Sequence, residues 1–523
     1  MAAGFCFLFE TIIKERSMKS LKFVVFLTVV LTFFAAGQNV FAEEAPLPDN
    51  PSSGVMLDDS LPGMGSEKTT AGIVVGAVTL DGKNYQQIGI RADIPLGKLG
   101  IGVDLQILLD EEGKVREEDW DEVEDYLNML YYLRWDHKGA PFYAKVGALD
   151  YSYLGYSNIV NGYSNAIEWP DYKRIGMEMS FKSEKIVGEL LINDYKELTD
   201  DRASMVIGTR VGVRPFSKLE IGASIVSDLN EYNGMRDTDD DGYPDEVDQY
   251  PYDDNLVTER ERLESIGASP GTIQELIDLG ELSPLEREDL TDYRKKRSRL
   301  TVWGLDAGIP LIEGDFLKVD LYTAYSDIVD YGWGLTLPGF RTRLGEHFSF
   351  TAEYRMQSEE FLFGYFNHTY ELERCQIAVD PMTGLPYAVR KQDTLKDITD
   401  DMQGYLAGMQ FNFFKYLTAS AQYQNMKGDN EERKSLYGDL IINNKAILYL
   451  PTVKGYYAQN NVESLSEWRT PSTLLGYIVQ MNIGGATVSV DNKYTFVDRN
   501  GDGDVKDDDE MVKSISISAM ATF

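Results

Sequence analysis

Along most of the chain beyond about residue 70, apolar and polar residues alternate strictly. A period of two puts successive side chains on opposite faces of a strand. Ile101, Val103, Leu105 and Ile107 alternate with Gly102, Asp104 and Gln106, and Leu127, Met129, Tyr131, Leu133 and Trp135 alternate with Asn128, Tyr132 and Arg134. Phe348, Phe350, Ala352, Tyr354 and Met356 oppose Ser349, Thr351, Glu353 and Arg355; Leu417, Ala419, Ala421 and Tyr423 oppose Thr418, Ser420, Gln422 and Gln424. A soluble sandwich with its apolar face inward and a membrane barrel with its apolar face outward produce the same alternation.

Three features favour the barrel. The alternating runs are about 10–13 residues long, where globular strands average roughly five or six and a tilted bilayer crossing needs about 9–11. Aromatics crowd the run ends, at Tyr131, Tyr132 and Trp135 and at Phe411, Phe413, Phe414 and Tyr416, as interfacial girdles require. The connections also alternate in length. Short ones fall at 95–98, 138–141, 183–185, 215–218, 313–315, 343–347, 414–415 and 483–485. Long ones fall between them at 110–125, 153–173, 196–203, 230–297, 358–400, 427–433, 461–470 and 498–510. In a closed antiparallel sheet this parity gathers the long loops on one rim. The expectation is an all-β transmembrane antiparallel β-barrel of about 18–20 strands, with 434–460 the stretch hardest to divide.

The remaining organisation agrees. Met18-Lys19-Ser20-Leu21-Lys22 precedes an apolar run from Phe23 to Ala36 and a small-residue site at Val40-Phe41-Ala42, the pattern of a secretory signal peptide. That run is shorter than the roughly 20 residues a spanning helix needs. Residues 1–42 are therefore expected to be an N-terminal extension and cleaved signal, 43–70 a polar lead-in, and 71–523 the barrel with an extracellular insertion at 230–297. Only Cys6 and Cys375 are present, without zinc spacing or a disulfide framework. A formal charge of −35 argues against nucleic acid as a partner.

The chain ends in the alternating run Ser514-Ile515-Ser516-Ile517-Ser518-Ala519-Met520-Ala521-Thr522-Phe523. With the signal peptide and the loop parity, this resembles bacterial outer-membrane β-barrel proteins of the porin type. The resemblance implies an outer-membrane location, lipid as surroundings, and recognition of the terminal Phe523 by the barrel-insertion machinery. The lead-in is too short for a plug domain of the TonB-dependent kind or for periplasmic assembly repeats.

Much of the acid is concentrated in 110–125, 237–254 and 498–510. Asp237, Asp239, Asp241, Asp245 and Asp248 stand at positions 1, 3, 5, 9 and 12 of one loop, with Gly242 at 6 to permit the sharp turn that wraps oxygens around a hard cation. The segment, continued by Gln249-Tyr250-Pro251, resembles a thrombospondin type 3 repeat. That resemblance implies that those five carboxylates and the Tyr243 carbonyl bind Ca2+. Asp498, Asn500, Asp502 and Asp504, with Gly503 at position 6 and Asp509 at 12, resemble an EF-hand or dockerin-type loop, again implying Ca2+. Glu117 to Asp125 is expected to be a short acidic helix. Leu256, Leu263 and Ile266, then Ile273, Leu276 and Ile277, at helical spacing around Gly267 and Pro270, fit either a small helical cap or a hydrophilic loop.

No nucleophile motif stands out. His137 and His347 fall at short turns and His368 in an outer loop, so the chain is read as not an enzyme. Alternation puts Asp104, Arg134, Lys145, Arg210, Lys318, Asp320, Glu353 and Arg355 in the lumen, a lining of mixed sign. The expected function is a porin-like channel for small polar solutes with calcium-bound loops; the alternative is a calcium-dependent surface binding or adhesion protein on a barrel platform.

Overall fold

The computed structural model describes residues 69–522 apart from 81–82, 117–128, 157, 170–171, 196–204, 217, 240, 252, 294, 346, 381, 414–416, 443–451, 484–485, 497–504 and 507–509. The expected signal peptide, most of the lead-in, the segment Glu117 to Asp125, Phe523 and the loop residues Asp498, Asn500, Asp502, Asp504 and Asp509 lie outside the described residues.

Twenty strands form one antiparallel sheet. It closes on itself where the first strand, Thr70–Leu80, pairs with the last, Met511–Thr522, in the register Thr70↔Thr522 to Val78↔Ser514. Closure matters energetically because a strand edge in lipid would leave backbone groups unpaired at several kcal/mol each. Alternation sets the faces as the sequence implies. In Leu99–Leu109 every second residue from Gly100 to Leu108 is buried in the lumen. The outward face carries Ile73, Val75, Ile88, Ile90, Val211, Ile225, Leu305 and Met409, all exposed. Aromatics flank this apolar band, with Trp303, Tyr325 and Trp333 in contact toward the loop rim and Phe216, Phe316, Phe411 and Phe413 exposed toward the turn rim.

Three expectations need correction. The connections do not alternate strictly in length. Strands Thr70–Leu80 and Lys83–Leu96 have two residues between them in sequence at the long-loop rim, the link at 329–332 there is short as well, and Glu432–Ile442 and Thr452–Val462 have nine residues between them at the turn rim. The link at 329–332 is closed by hydrogen bonds from Ile328 N–H to the Gly332 carbonyl and from Tyr331 N–H to the Ile328 carbonyl, with Asp330 at φ 71°, so two strands meet with almost no loop between them. Strand length also varies. The strands from Leu130 to Asp228 run only 6–9 residues, and after Phe142–Gly147 the chain leaves the ladder to enter the lumen. Gly147, at φ 124°, ends one of them where a Cβ would collide with the Tyr131 carbonyl. Finally, Tyr131 and Tyr132 are not girdle residues. The register with Leu99–Leu109 shifts between Gly102 and Val103, skipping Tyr131, and both rings are buried.

The lumen is occupied. Loops 148–175 and 358–401 fold inward and share a three-stranded sheet, Ser152–Tyr153, Val160–Tyr163 and Phe366–Asn367, in which Phe366↔Val160 and Asn367↔Asn161 pair in parallel. Leu154, Val160, Tyr163, Phe361, Phe366 and Tyr370 pack with wall residues Val206, Val226, Leu300 and Ile328 as one apolar core. Fully burying each such side chain contributes about 1.5–3 kcal/mol. Glycine on the inner wall makes room for this plug. Gly308 lies against the Tyr156 ring, which stacks on Tyr322 at 4.3 Å beneath the Arg341 guanidinium, 4.8 Å from each ring.

Outside the barrel, the insertion 229–299 carries helices Glu259–Ser265 and Pro270–Asp278. Of the two readings open for this stretch, the structure shows helices. Thr258 and Glu261 form a capping box on the first helix, and Ser269 caps the second ahead of Pro270.

Candidate functional site

A polar cleft runs between the plug loop 148–175 and the wall near the barrel seam. Gln87, Arg91, Gln106, Asp491 and Lys493 line it from the wall, and Asp150 and Trp169 from the loop. Strand alternation aims the wall residues inward, and loop–wall bonds fix the opposite side. Arg91 Nε lies 3.0 Å from Asp104 Oδ1, whose second oxygen accepts the Trp169 indole N–H at 2.9 Å. Asp150 accepts the Tyr131 hydroxyl at 2.8 Å and the Lys145 ammonium at 2.7 Å. Lys493 Nζ donates to the Ile167 carbonyl. Cations, carboxylates, amides and aromatic edges alternate within one narrow space.

Of the expected lumen residues, Asp104, Arg210, Glu353 and Arg355 are buried, while Arg134, Lys145, Lys318 and Asp320 are half-buried. They serve packing as well as lining. Arg210 is held by Asp306 through Nε at 2.8 Å and Nη2 at 2.6 Å, and by Glu220 at 2.9 Å. Glu353 binds Arg355 at 2.6 Å and accepts the Tyr322 hydroxyl at 2.5 Å. Arg355 in turn lies over the plug residue Phe363 at 4.5 Å.

A second polar network ties plug, wall and insertion together. Arg374 of the plug, fully buried, donates to Asp228 at the end of strand Glu220–Asp228 through Nε at 2.6 Å and Nη2 at 3.0 Å. Tyr370 donates its hydroxyl to the same carboxylate at 2.7 Å. Glu371 lies 3.3 Å from Arg174 and accepts the Tyr163 hydroxyl. Glu231, at the start of the insertion, accepts the Tyr365 hydroxyl at 2.8 Å. Burial, then the nearby Asp228 charge, pushes its carboxyl up to about 8. The sequence leaves room for long loops to fold inward, but it names neither this network nor the two segments that form the plug. The signal was there in 148–175 and 358–374, whose Tyr153, Leu154, Tyr156, Ile159, Phe361, Leu362, Phe363 and Phe366 are too apolar for solvated loops. His368 is buried in the plug, stacked on Tyr151 at 5.5 Å.

The acidic loop of the insertion does converge. Asp237, Asp239 and Asp241 each bring one carboxylate oxygen within 4.8 Å of the others. Gly242, at φ 99°, makes the turn, and its N–H donates to Asp237 at 2.9 Å. Asp241 accepts the Tyr243 N–H at 2.9 Å and pairs with Arg287 at 3.1 Å. Asp248 is 6% exposed; its Oδ1 accepts the Tyr250 N–H, and its Oδ2 is buried with no hydrogen-bond partner among the described residues, as is Asp239 Oδ2. Burial together with the charges of Asp241, Asp239 and Asp245 pushes Asp248 up to about 7. Asp245 is turned another way, accepting the Thr238 N–H at 2.8 Å and hydroxyl at 2.7 Å beside Arg236. Beneath the loop, Tyr243 packs with Val257 and Leu290. Three carboxylates converging on one turn, with the buried Asp248 close enough to feel their charge, are a donor set that suits a hard divalent cation.

No protein-family model and no curated protein matches the chain. Similar solved structures include a mutant ferric enterobactin receptor, PfeA, from Pseudomonas aeruginosa (9% identity, 88% of this chain and 81% of that chain, TM-score 0.34). They also include OccK5 (OpdH) from Pseudomonas aeruginosa (10%, 87% and 98%, 0.30) and Wzi from Escherichia coli, described as a carbohydrate-binding barrel involved in capsule assembly (10%, 87% and 84%, 0.31). The architecture itself is read from the closed strand pairing and the apolar belt between aromatic girdles. The chain is an outer-membrane β-barrel.

Proposed function

We propose that the barrel is a selective outer-membrane channel for small polar solutes, narrowed by its plug to the cleft beside Arg91, Asp150, Trp169 and Lys493. The mixed-sign, hydrogen-bonding lining of that cleft is the observation that carries this reading. A solute that sheds water there meets donors and acceptors of both kinds, which favours polar molecules over bare ions of either sign. Planar-bilayer recording of the purified, heat-modifiable barrel tests it. Small discrete conductance steps that shrink when a bulkier side chain replaces Ser516 in the cleft support it. A folded barrel that stays silent refutes it and leaves the second reading, a surface binding platform, which the apolar core filling the lumen favours.

On this reading the extracellular insertion is a calcium module. Asp237, Asp239, Asp241 and Asp248, with the Tyr243 carbonyl, are the proposed ligands, and Asp245 braces the loop through Thr238. Asp498, Asn500, Asp502, Asp504 and Asp509 form the second proposed site. Bound calcium would neutralise carboxylates that otherwise repel one another. Phe523 is the proposed signal to the insertion machinery.

A further inference from the structure

We propose that the loop-rim end of strand Leu300–Glu313 binds phosphate-bearing lipid headgroups of the leaflet around it. In a chain of formal charge −35, the stretch Lys295-Lys296-Arg297-Ser298-Arg299 is strongly basic, and its four cations are exposed. Its orientation is fixed by its centre. Ser298 is buried; its N–H donates to Asn230 Oδ1 at 2.9 Å and its carbonyl accepts the Glu231 N–H at 2.8 Å. Leu300 and Val302 face the lumen, both nearly fully buried. Alternation therefore turns Arg297 and Arg299 outward, on the same face as Thr301 and Trp303. Arg299 Nε reaches Ser227 Oγ on the neighbouring strand at 3.2 Å, which spreads the charge sideways along the rim.

The level in the membrane follows from the aromatics. Trp303, Tyr325 and Trp333 form a contacting cluster on the lipid face, with centroids 5.6 and 6.2 Å apart, and such a cluster marks the interface. Arg299 lies four residues toward the loop rim, about 13 Å along the strand at roughly 3.3 Å per residue. At the roughly 40° tilt of strands in such barrels this is about 10 Å along the membrane normal, and the long arginine stem reaches back from there toward the headgroup phosphates. The carboxylate on the same outward ladder, Asp327, is engaged by the Trp303 indole at 3.1 Å and the Tyr325 hydroxyl at 3.3 Å. Further acids in the sequence around it are Asp292, three residues before Lys295, and Asp330, in the turn at 329–332. The acidic loop of the insertion draws its counter-charges from elsewhere, Arg287 on Asp241 and Arg236 on Asp245. The exposed cations thus sit where phosphates of the surrounding leaflet come within reach, and arginine forks and ammonium groups both bind them well.

The test titrates the full-length, detergent-purified barrel with phosphatidylglycerol or phosphatidylcholine and counts bound lipids by native mass spectrometry. Wild type should prefer phosphatidylglycerol. Each charge removed should weaken that preference by about fivefold at low salt, so K295Q/K296Q/R297Q/R299Q should lose it. Raising ionic strength from about 0.01 to about 1 M, which shortens the screening length from roughly 30 to 3 Å, should release the lipid from wild type. The pairs K295Q/K296Q and R297Q/R299Q, read separately, keep the test valid if the fourfold variant does not fold. K185Q/K218Q, on the opposite rim, should retain the preference. Equal binding of both lipids by wild type, undiminished phosphatidylglycerol binding by the folded variants, or an equal loss in K185Q/K218Q would overturn the proposal.

Discussion

Replacing Arg374 by Met should unseat the plug without opening the barrel wall. The guanidinium is fully buried and makes two charge-assisted bonds to Asp228, at 2.6 and 3.0 Å. Without it, Asp228 stays buried with the Tyr370 hydroxyl and the Asn230 N–H as its remaining described donors, both neutral, while Glu371 keeps Arg174 and Tyr163. Breaking one partner out of a buried pair costs about 3–5 kcal/mol, which shifts the docked-to-undocked ratio of the plug by about two to four orders of magnitude. The wall is insulated from this loss because its closure rests on interstrand hydrogen bonds. The expected outcome is new proteolytic cuts in 358–401 and larger conductance steps, with unchanged heat-modifiability. Arg374→Met combined with Asp228→Leu should recover much of the loss, since removing both charges strands neither. Wild-type behaviour of the single variant, or strictly additive losses in the pair, would refute the argument.

The other predictions are more local. Asp248→Asn should weaken calcium binding to the insertion, read as loss of calcium-dependent protection of 236–297 in limited proteolysis. In the wild type, calcium affinity should fall as pH drops through about 7, because the Asp248 carboxyl must lose its proton to act as a ligand. Glu231, with its carboxyl pushed up to about 8, binds its proton more tightly folded than unfolded. Its contribution is therefore fully present below the ordinary glutamate range near pH 4.5 and declines as pH rises through about 8, so hydrogen exchange at the insertion base should quicken over that window in wild type and not in Glu231→Gln. Deleting Phe523 should reduce assembled barrel in the outer membrane while export continues, measured as the heat-modifiable fraction.

The wall was legible because its physics is local. Period-two alternation in 99–109, 348–357 and 417–424 assigns each residue a face without knowledge of its partners. Counting strands was harder where turns are tight, as at 329–332, whose Val-Asp-Tyr-Gly carries a single glycine. The acidic loop was readable because Gly242 and the spaced aspartates specify a turn within a dozen residues. The plug was not, because Val160 and Phe366 find each other only through the closed wall, and no local period announces a parallel pair between distant loops. Tyr131 was placed on the wrong face for a similar reason, since the register shift that turns it inward, opposite Gly102 and Val103, exists only in the pairing with the adjacent strand.

That parallel pair also bears on the order of assembly. Tyr163 and Glu371, bonded across the plug, are 208 residues apart in sequence. Contacts of such separation pay their loop-closure entropy before they return any stabilisation, and so form late. The wall between them is built from neighbouring hairpins, which shorten that distance to a step across the lumen once they have zipped. Before that step the lumen stays wet, with the apolar side chains of both loops exposed to solvent. A species with its wall complete and its interior unset should therefore accumulate during refolding, bind hydrophobic dyes, and convert to the native state in a slower phase than the one that closes the sheet.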